Sequence, residues 1–232
     1  MRALAVTRPE LPSGIVAIPV RTPLVRPGDD LAAVVEAAVH GIARAGDVIA
    51  ISETAVAIAQ GEFVAAEYVR PSKLAYALAR RAGALATVSQ PESLQLVIDQ
   101  VGAGKVMYAA AMHVAGRLVG KRGLFYEVMG EAITAIDGYT GTLPPYERAI
   151  VFAPREPDAF CRSVCERTGV ACVVVDANDL EKAKVLGASV GIDRTRVEHA
   201  LLDNPHGNAD EQTPVVVLKW RGAGQNPLVG AR

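Results

Sequence analysis

The stretch from Arg148 to Asp179 restricts the fold more than any other, because two short, strongly apolar runs bracket an amphipathic one. RAIVFAP reads as a strand, PDAFCRSVCERTG as a helix closed by Gly169, and VACVVVDAND as a strand that is apolar until Asp176. An unbroken apolar run of that length reads as a buried strand. If both strands share a sheet, this β-α-β unit implies a right-handed crossover and parallel pairing. The fold class it points to is α/β, or mixed α+β.

The rest of the chain repeats the theme. GIVAIPV is β-branched and reads as a strand. TPLVRPGDD leads from it to a helix that Asp29 or Asp30 caps, with Leu31, Val34, Val35, Ala38, Val39 and Ile42 at helical spacing and Gly46 as the stop. DVIAIS is a strand, and the apolar run ETAVAIAQGEFV has a turn at Gly61. PSKLAYALARRAG is a helix with Pro71 at its start. Further helices are expected at Pro91 to Val101 and at Met107 to Val119. GLFYEVMGEAITAIDGY alternates like a hairpin, Phe125, Glu127 and Met129 facing Ile133, Ala135 and Asp137 across a turn near Gly130. TPVVVLKW is the last strand, and residues 222–232 read as a loose tail. No linker composition divides the 232 residues, so one domain is expected, with two lobes (about 1–120 and 121–222) as the alternative.

Composition excludes several function classes. Net charge is −1 and the cations are scattered, so nothing advertises a nucleic-acid or membrane surface. Three cysteines, Cys161, Cys165 and Cys172, argue against a disulfide framework and for a reducing compartment. With no signal-peptide pattern and no apolar stretch long enough to span a bilayer, the chain reads as soluble and cytoplasmic. Neither GxxxxGK[ST] nor a GxGxxG after a strand is present, and GAGK at Gly102 to Lys105 is too short to count as a phosphate loop. The cysteines lack zinc spacing, and no base can be assigned to them among His40, His113, His199 and His206.

The chemistry is carried by carboxylates. Asp137 follows the apolar run AITAI and Asp176 follows VACVVV; a carboxylate at the carboxyl end of a buried strand points into the crevice where open α/β sheets bind ligands. If those strands are neighbours, the carboxylates converge, and a cation between them relieves their repulsion; oxygen ligands suit Mg²⁺ or Mn²⁺. The alternative is that each aspartate merely starts a turn. The segment DNPHGNADEQTP offers Asn208, Asp210, Glu211 and Gln212 as further ligands or substrate contacts, or is an ordinary polar loop.

In order along the chain, TPLVRPGDDL, GDVIAIS followed by AQGE, RPSKLAYALARRAG, AIDG, PREPDAFCRSV leading to VVVDANDL, and DNPHGNADEQTPVVVL resemble the coenzyme F420-0:L-glutamate ligases. The likeness extends to compact bacterial members that carry DANDL and a DNP…EQTP segment. It implies a γ-glutamyl-ligase-like fold, a mixed sheet with flanking helices; apolar composition on so many segments adds the expectation of an intertwined homodimer, whose shared sheet would bury strand edges. The resemblance also implies a ligase that phosphorylates a carboxylate acceptor with GTP (or ATP) and lets the amine of L-glutamate displace phosphate. By the same resemblance, Asp137, Asp176 and Asn208 fall on the metal ligands for Mg²⁺ or Mn²⁺. Thr22, Pro23, Leu24 and Val25 fall on a nucleotide-lining segment, and Thr54 falls near a second nucleotide contact.

The sequence also departs from the family. A Ser-Lys pair aligns with Ala57 and Ile58, so a lysine expected to face phosphate is missing, and Lys121, Arg122 or a partner subunit would have to supply that charge. Ala177 replaces a threonine beside Asp176, and a long helical insertion is reduced to GIDRTRVEHALL. A different acceptor metabolite, or a non-catalytic binding module that kept the fold, are the rival readings.

Overall fold

The computed structural model describes residues 14–82, 89–121, 123–130, 133, 136–138, 144–178, 182–207, 211–222 and 226–229. The protein is mixed α/β, and its chain divides into two compact units, the first formed by the segments up to Gly61 and from Pro154 onward, the second by Glu62–Ala153. Residue 120 lies inside the second unit, where the helices on either side of it pack together.

In the first unit a five-stranded sheet has the order β1 (Ile15–Val20), β8 (Val215–Trp220), β2 (Val48–Ser52), β6 (Ala171–Asn178), β7 (Lys182–Ala188). Only β2 and β6 are parallel; β8 runs antiparallel to both β1 and β2, and β7 antiparallel to β6. Both faces of the sheet are covered, which is why its central strands lack a polar alternation. Val48, Ala50, Val173, Val175, Val216 and Leu218 pack on Val197 of α8 (Arg194–Ala200). The alternate residues Ile49, Ile51, Cys172, Val174, Val215 and Val217 are equally buried. Against β6 and β7 lies α7 (Pro157–Thr168), which packs on α1 (Leu31–Val39).

Local chemistry sets the element ends. Asp30 caps α1 by accepting from the Ala33 amide at 3.0 Å, and the helix stops at Val39, short of the expected Gly46. The run after β2 is a helix, α2 (Glu53–Gln60), ended by Gly61 at φ 74°. Five consecutive residues of α2, Ala55 to Ala59, are buried, so no polar face marks it as helical in the sequence. The strand β7 and its hairpin with β6 were likewise not anticipated. Residues 226–229 are not a loose tail: Leu228 is fully buried and the Asn226 amide donates to the Gly46 carbonyl at 2.7 Å.

The second unit holds a three-stranded antiparallel sheet, β3 (Phe63–Ala65), β5 (Ala149–Phe152) and β4 (Ile136–Asp137), with α3 (Lys73–Ala79), α4 (Pro91–Val101), α5 (Ala103–Leu118) and α6 (Leu124–Met129). Two expectations are corrected here. RAIVFAP, as β5, shares no sheet with β6, so the β-α-β segment is not a parallel unit. The first limb of the expected hairpin is the helix α6: Phe125, Val128 and Met129 at i, i+3 and i+4 share one apolar face with the core, a pattern that short-range alternation mimicked.

Gly187 on β7 sits where the chain of α7 begins, and a Cβ there would fall 2.7 Å from the Asp158 amide nitrogen, with the Pro157 carbonyl carbon closer still. Because those are backbone atoms, relief needs movement of a whole element. Gly187→Ala should lower unfolding stability in urea by about 1–3 kcal/mol; an unchanged midpoint would show that this packing is loose.

Candidate functional site at the carboxyl edge of the five-stranded sheet

The register lines up several predicted residues. Val215 pairs with Val20 on one side and Ile51 on the other, and Ser52 pairs with Val175. Since β1, β2 and β6 run the same way, Arg21 and Thr22 after β1 and Glu53 and Thr54 after β2 leave the sheet at one edge, and Asp176, still paired with Lys184 of β7, stands on β6 just past the end of β2. The segment entering β8 arrives at that same edge. Hydrogen bonds tie it there: Ser52 N–H donates to the Pro214 carbonyl at 2.8 Å, Thr22 N–H to the Gln212 carbonyl at 3.2 Å, and Arg21 Nε–H to the Glu211 carbonyl at 3.0 Å. Carboxyl ends of parallel strands are where open α/β sheets take ligands.

Thr22 and Val25 are buried, Leu24 half-buried and Pro23 exposed. Gly28 N–H donates to the Ala59 carbonyl of α2 at 2.8 Å and closes the loop onto that helix. Thr54 lies half-buried in the first turn of α2, whose N-cap Ser52 makes no side-chain cap. The N-terminal amides of α2 therefore face the edge, an arrangement suited to an anion.

Asp176 is exposed as a residue, yet partial burial of its carboxyl pushes its pKa up from the ordinary value, with the Lys184 ammonium on the paired strand opposing. A carboxylate so disfavoured fits a cation, which would lower its charge cost. Asp137 ends β4 in the second unit, opposite Val151, so the two aspartates stand on different sheets and not on neighbouring strands as expected. Beside it, a Cβ on Gly138 would lie 2.8 and 2.9 Å from the side-chain carboxamide carbon and nitrogen of Gln90. Asn208 and Asp210 lie outside the described residues. Among the described residues no group of three or more histidine, cysteine or acidic side chains could hold a metal ion.

Glu211 and Gln212 contribute backbone, as described, and the Glu211 carboxylate lies over Gly207. A histidine passed over at first fixes this loop. His206 Nδ1 is 3.2 Å from the Thr213 carbonyl, which can only accept, so Nδ1 carries the proton; Thr213 Oγ1 donates back to the His206 carbonyl at 2.5 Å. Nε2 is buried without a partner among the described residues. Burial lowers the His206 pKa to about 4, the Thr213 carbonyl opposing. The signal that could have found it is its place in the polar segment DNPHGNADEQTP that leads into β8.

Other candidates resolve differently. Ile58, on the position of the absent lysine, is buried in α2 at 5% exposure. Lys121 is exposed at the end of α5 in the second unit, and Arg122 lies outside the described residues. Cys161 and Cys172 are buried together; burial pushes the Cys172 thiol up, and Cys161 adds to it. No described helix is long and apolar enough to cross a membrane.

The family model described as F420-0:gamma-glutamyl ligase matches residues 19–213. The chain belongs to the F420-0:gamma-glutamyl ligase family. No curated protein matches it. Membership implies a ligase, and the matched span includes every segment of the sheet edge from Thr22 to Thr213.

Two outcomes are expected. His206 stays neutral when folded but protonates near 6.5 when unfolded, so its burial should cost stability on the order of 3 kcal/mol as pH falls from about 6.5 to about 4. Denaturation of chelator-treated protein should show that loss, and His206→Asn should lack it; equal slopes would refute the neutral histidine. Asp176, with its raised pKa, is less stable ionised than protonated, so stability it contributes at low pH is lost as pH rises through its folded pKa. Asp176→Asn should therefore melt no lower than wild type in chelator; a lower melt would make Asp176 structural.

Proposed function

We propose that the protein is a nucleotide-dependent amide-forming ligase that joins L-glutamate to a carboxylate acceptor such as coenzyme F420-0. The observation that supports it is the convergence, on one sheet edge, of the Thr22 to Val25 backbone, the first turn of α2 with Thr54, the loop entering β8, and Asp176. An acceptor carboxylate oxygen attacks the γ-phosphorus of GTP or ATP and the nucleoside diphosphate leaves. The glutamate amine then attacks the acyl carbon, the acyl C–O bond breaks, phosphate departs and the amine loses a proton. The Thr22 to Val25 segment and the α2 amides hold the polyanion, and the His206–Thr213 pair keeps the loop entering β8 in place.

Asp176 is the first unit's ligand for Mg²⁺ or Mn²⁺ in this reading; Asp137 and Asn208 are carried from the family resemblance alone. When bound, such a cation spreads the charge of the transferring phosphoryl group. Because Ile58 packs into the protein, cationic charge has to come from elsewhere. Arg21, directly before Thr22, and Lys184, opposite Asp176, are the cations that the edge itself offers. The buried Ile58 also favours a second reading, a module that binds nucleotide without turning it over.

Calorimetric titration of GTP and ATP with and without Mn²⁺ separates these. The ligase reading expects metal-dependent binding that Asp137→Ala weakens at least tenfold, and phosphate release that requires both glutamate and acceptor. Binding with no glutamate-dependent phosphate release on any carboxylate acceptor tried would favour the module, and no binding of either nucleotide would overturn both.

A further inference from the structure

The turn that carries Asp137 is held by very little of its own sheet. β4 lies at the edge and consists of Ile136 and Asp137 alone, which pair with Phe152 and Val151 on one side only. A strand below the usual length fixes the path into its last residue but not the direction in which the chain leaves. Ile136 is anchored, because it is buried in the core of the second unit with Leu94, Val97 and Ile98 of α4. Asp137 is exposed, and Gly138 follows it at once.

The side chain that meets the chain there is Gln90, the residue before α4. The three atoms nearest to a Cβ on Gly138 would be the carboxamide oxygen, carbon and nitrogen of Gln90. The backbone at Gly138 does not itself call for glycine, since its φ lies outside the positive region that strains other residues. Nor is the carboxamide free to step aside. Ser93 Oγ–H donates to Gln90 Oε1 at 3.0 Å, and Ser93 is fully buried, so breaking that bond would leave its hydroxyl unpaired. The Gln90 carbonyl accepts from Leu94 N–H at 3.0 Å, which ties its backbone to the helix that packs with Ile136. A glutamine that merely filled space would need no such hydroxyl.

We infer that Gln90, seated by Ser93, is a positioning residue whose carboxamide lies against Gly138 and fixes the turn that aims the Asp137 carboxylate. The inference rests on the reading of Asp137 as a ligand for Mg²⁺ or Mn²⁺ and adds the residues that hold it. A carboxylate that meets a cation needs support of this kind, and removing such support costs roughly ten- to a hundredfold in metal affinity.

Calorimetric titration of GTP, and in parallel of ATP, into the full chain with Mn²⁺ tests this, with thermal melting in chelator as the control for folding. Gln90→Met, which keeps the bulk and loses the acceptor, and Ser93→Ala should each weaken nucleotide binding about tenfold while melting close to wild type. Gly138→Ala should weaken it as much, and added to Gln90→Ala, which vacates the space, it should cost nothing further. If Asp137→Ala loses binding while Gln90→Met and Ser93→Ala keep it, the positioning role is overturned and the ligand reading stands. Binding by Asp137→Ala equal to wild type, or no binding by wild type, would overturn the ligand reading and this inference with it. Additive losses in the Gln90→Ala, Gly138→Ala double variant, or losses matched by a collapsed melting transition, would also overturn the positioning role.

Discussion

Val215 pairs with Val20 on one side and Ile51 on the other, and this single row places every segment of the candidate site. The row is not held by in-and-out patterning. Val215, Val216, Val217 and Leu218 are all fully buried, so a slip of β8 by one residue would still bury a valine on each face. Register has to be fixed at the ends of the strand. At one end the Lys219 ammonium donates to the Ile42 carbonyl and lies 3.5 Å from the Asp47 carboxylate. At the other, Pro214, Gln212 and Glu211 accept from Ser52, Thr22 and Arg21. The loop that builds the site is thus also what keeps the sheet in step, and changes in it act on both.

The same reasoning shows what could be read from sequence. Strands β1, β2, β6 and β8 declare themselves by unbroken β-branched runs, and α1, α3, α4 and α7 by caps and apolar spacing. Where the chain is apolar on all sides, spacing says nothing: Ala55 to Ala59 of α2 are all buried, and the helix is marked only by Gly61 in the left-handed region and by the strand before it. In α6 the apolar residues satisfy a period of two and a helical i, i+3, i+4 set equally well, and packing on α5 decides between them. Lys182–Ala188 was overlooked because its exposed lysines and glycine weaken the strand pattern that burial elsewhere makes plain.

The partnership of strands was less accessible than the strands. RAIVFAP and VACVVV flank one helix and look like a parallel pair, but β6 pairs with β2, more than 100 residues earlier, and β5 with β3 and β4. Local sequence carries no information about that choice, since any of these apolar strands buries a neighbour equally well. For the site this matters directly. Thr22, Thr54 and Asp176, far apart in sequence, were linked only through resemblance, and it is the non-local pairing that gives them a common edge. Asp137 and Asp176, which would converge only from neighbouring strands, stand on different sheets.

What remains to be balanced at that edge is charge. If the edge holds phosphate as proposed, the lysine that the family resemblance leads one to expect at Ile58 is missing, a loss of about 3 kcal/mol judged by single donors at such sites. The N-terminus of α2 offers part of this, but a helix terminus contributes typically 0.3–1 kcal/mol and about 2 kcal/mol in favourable, partly buried geometry. The amides alone therefore fall short of a lysine. Arg21 has a guanidinium whose Nε is already held by the Glu211 carbonyl, so little orientational freedom is left to lose on meeting an anion. Lys184 is poorer suited, because its ammonium already lowers the cost of ionising Asp176. In the proposed reading, charge at the edge thus falls to Arg21 and the α2 amides together, while the apolar Ile58 packs among the buried residues Ala55 to Ala59 of α2.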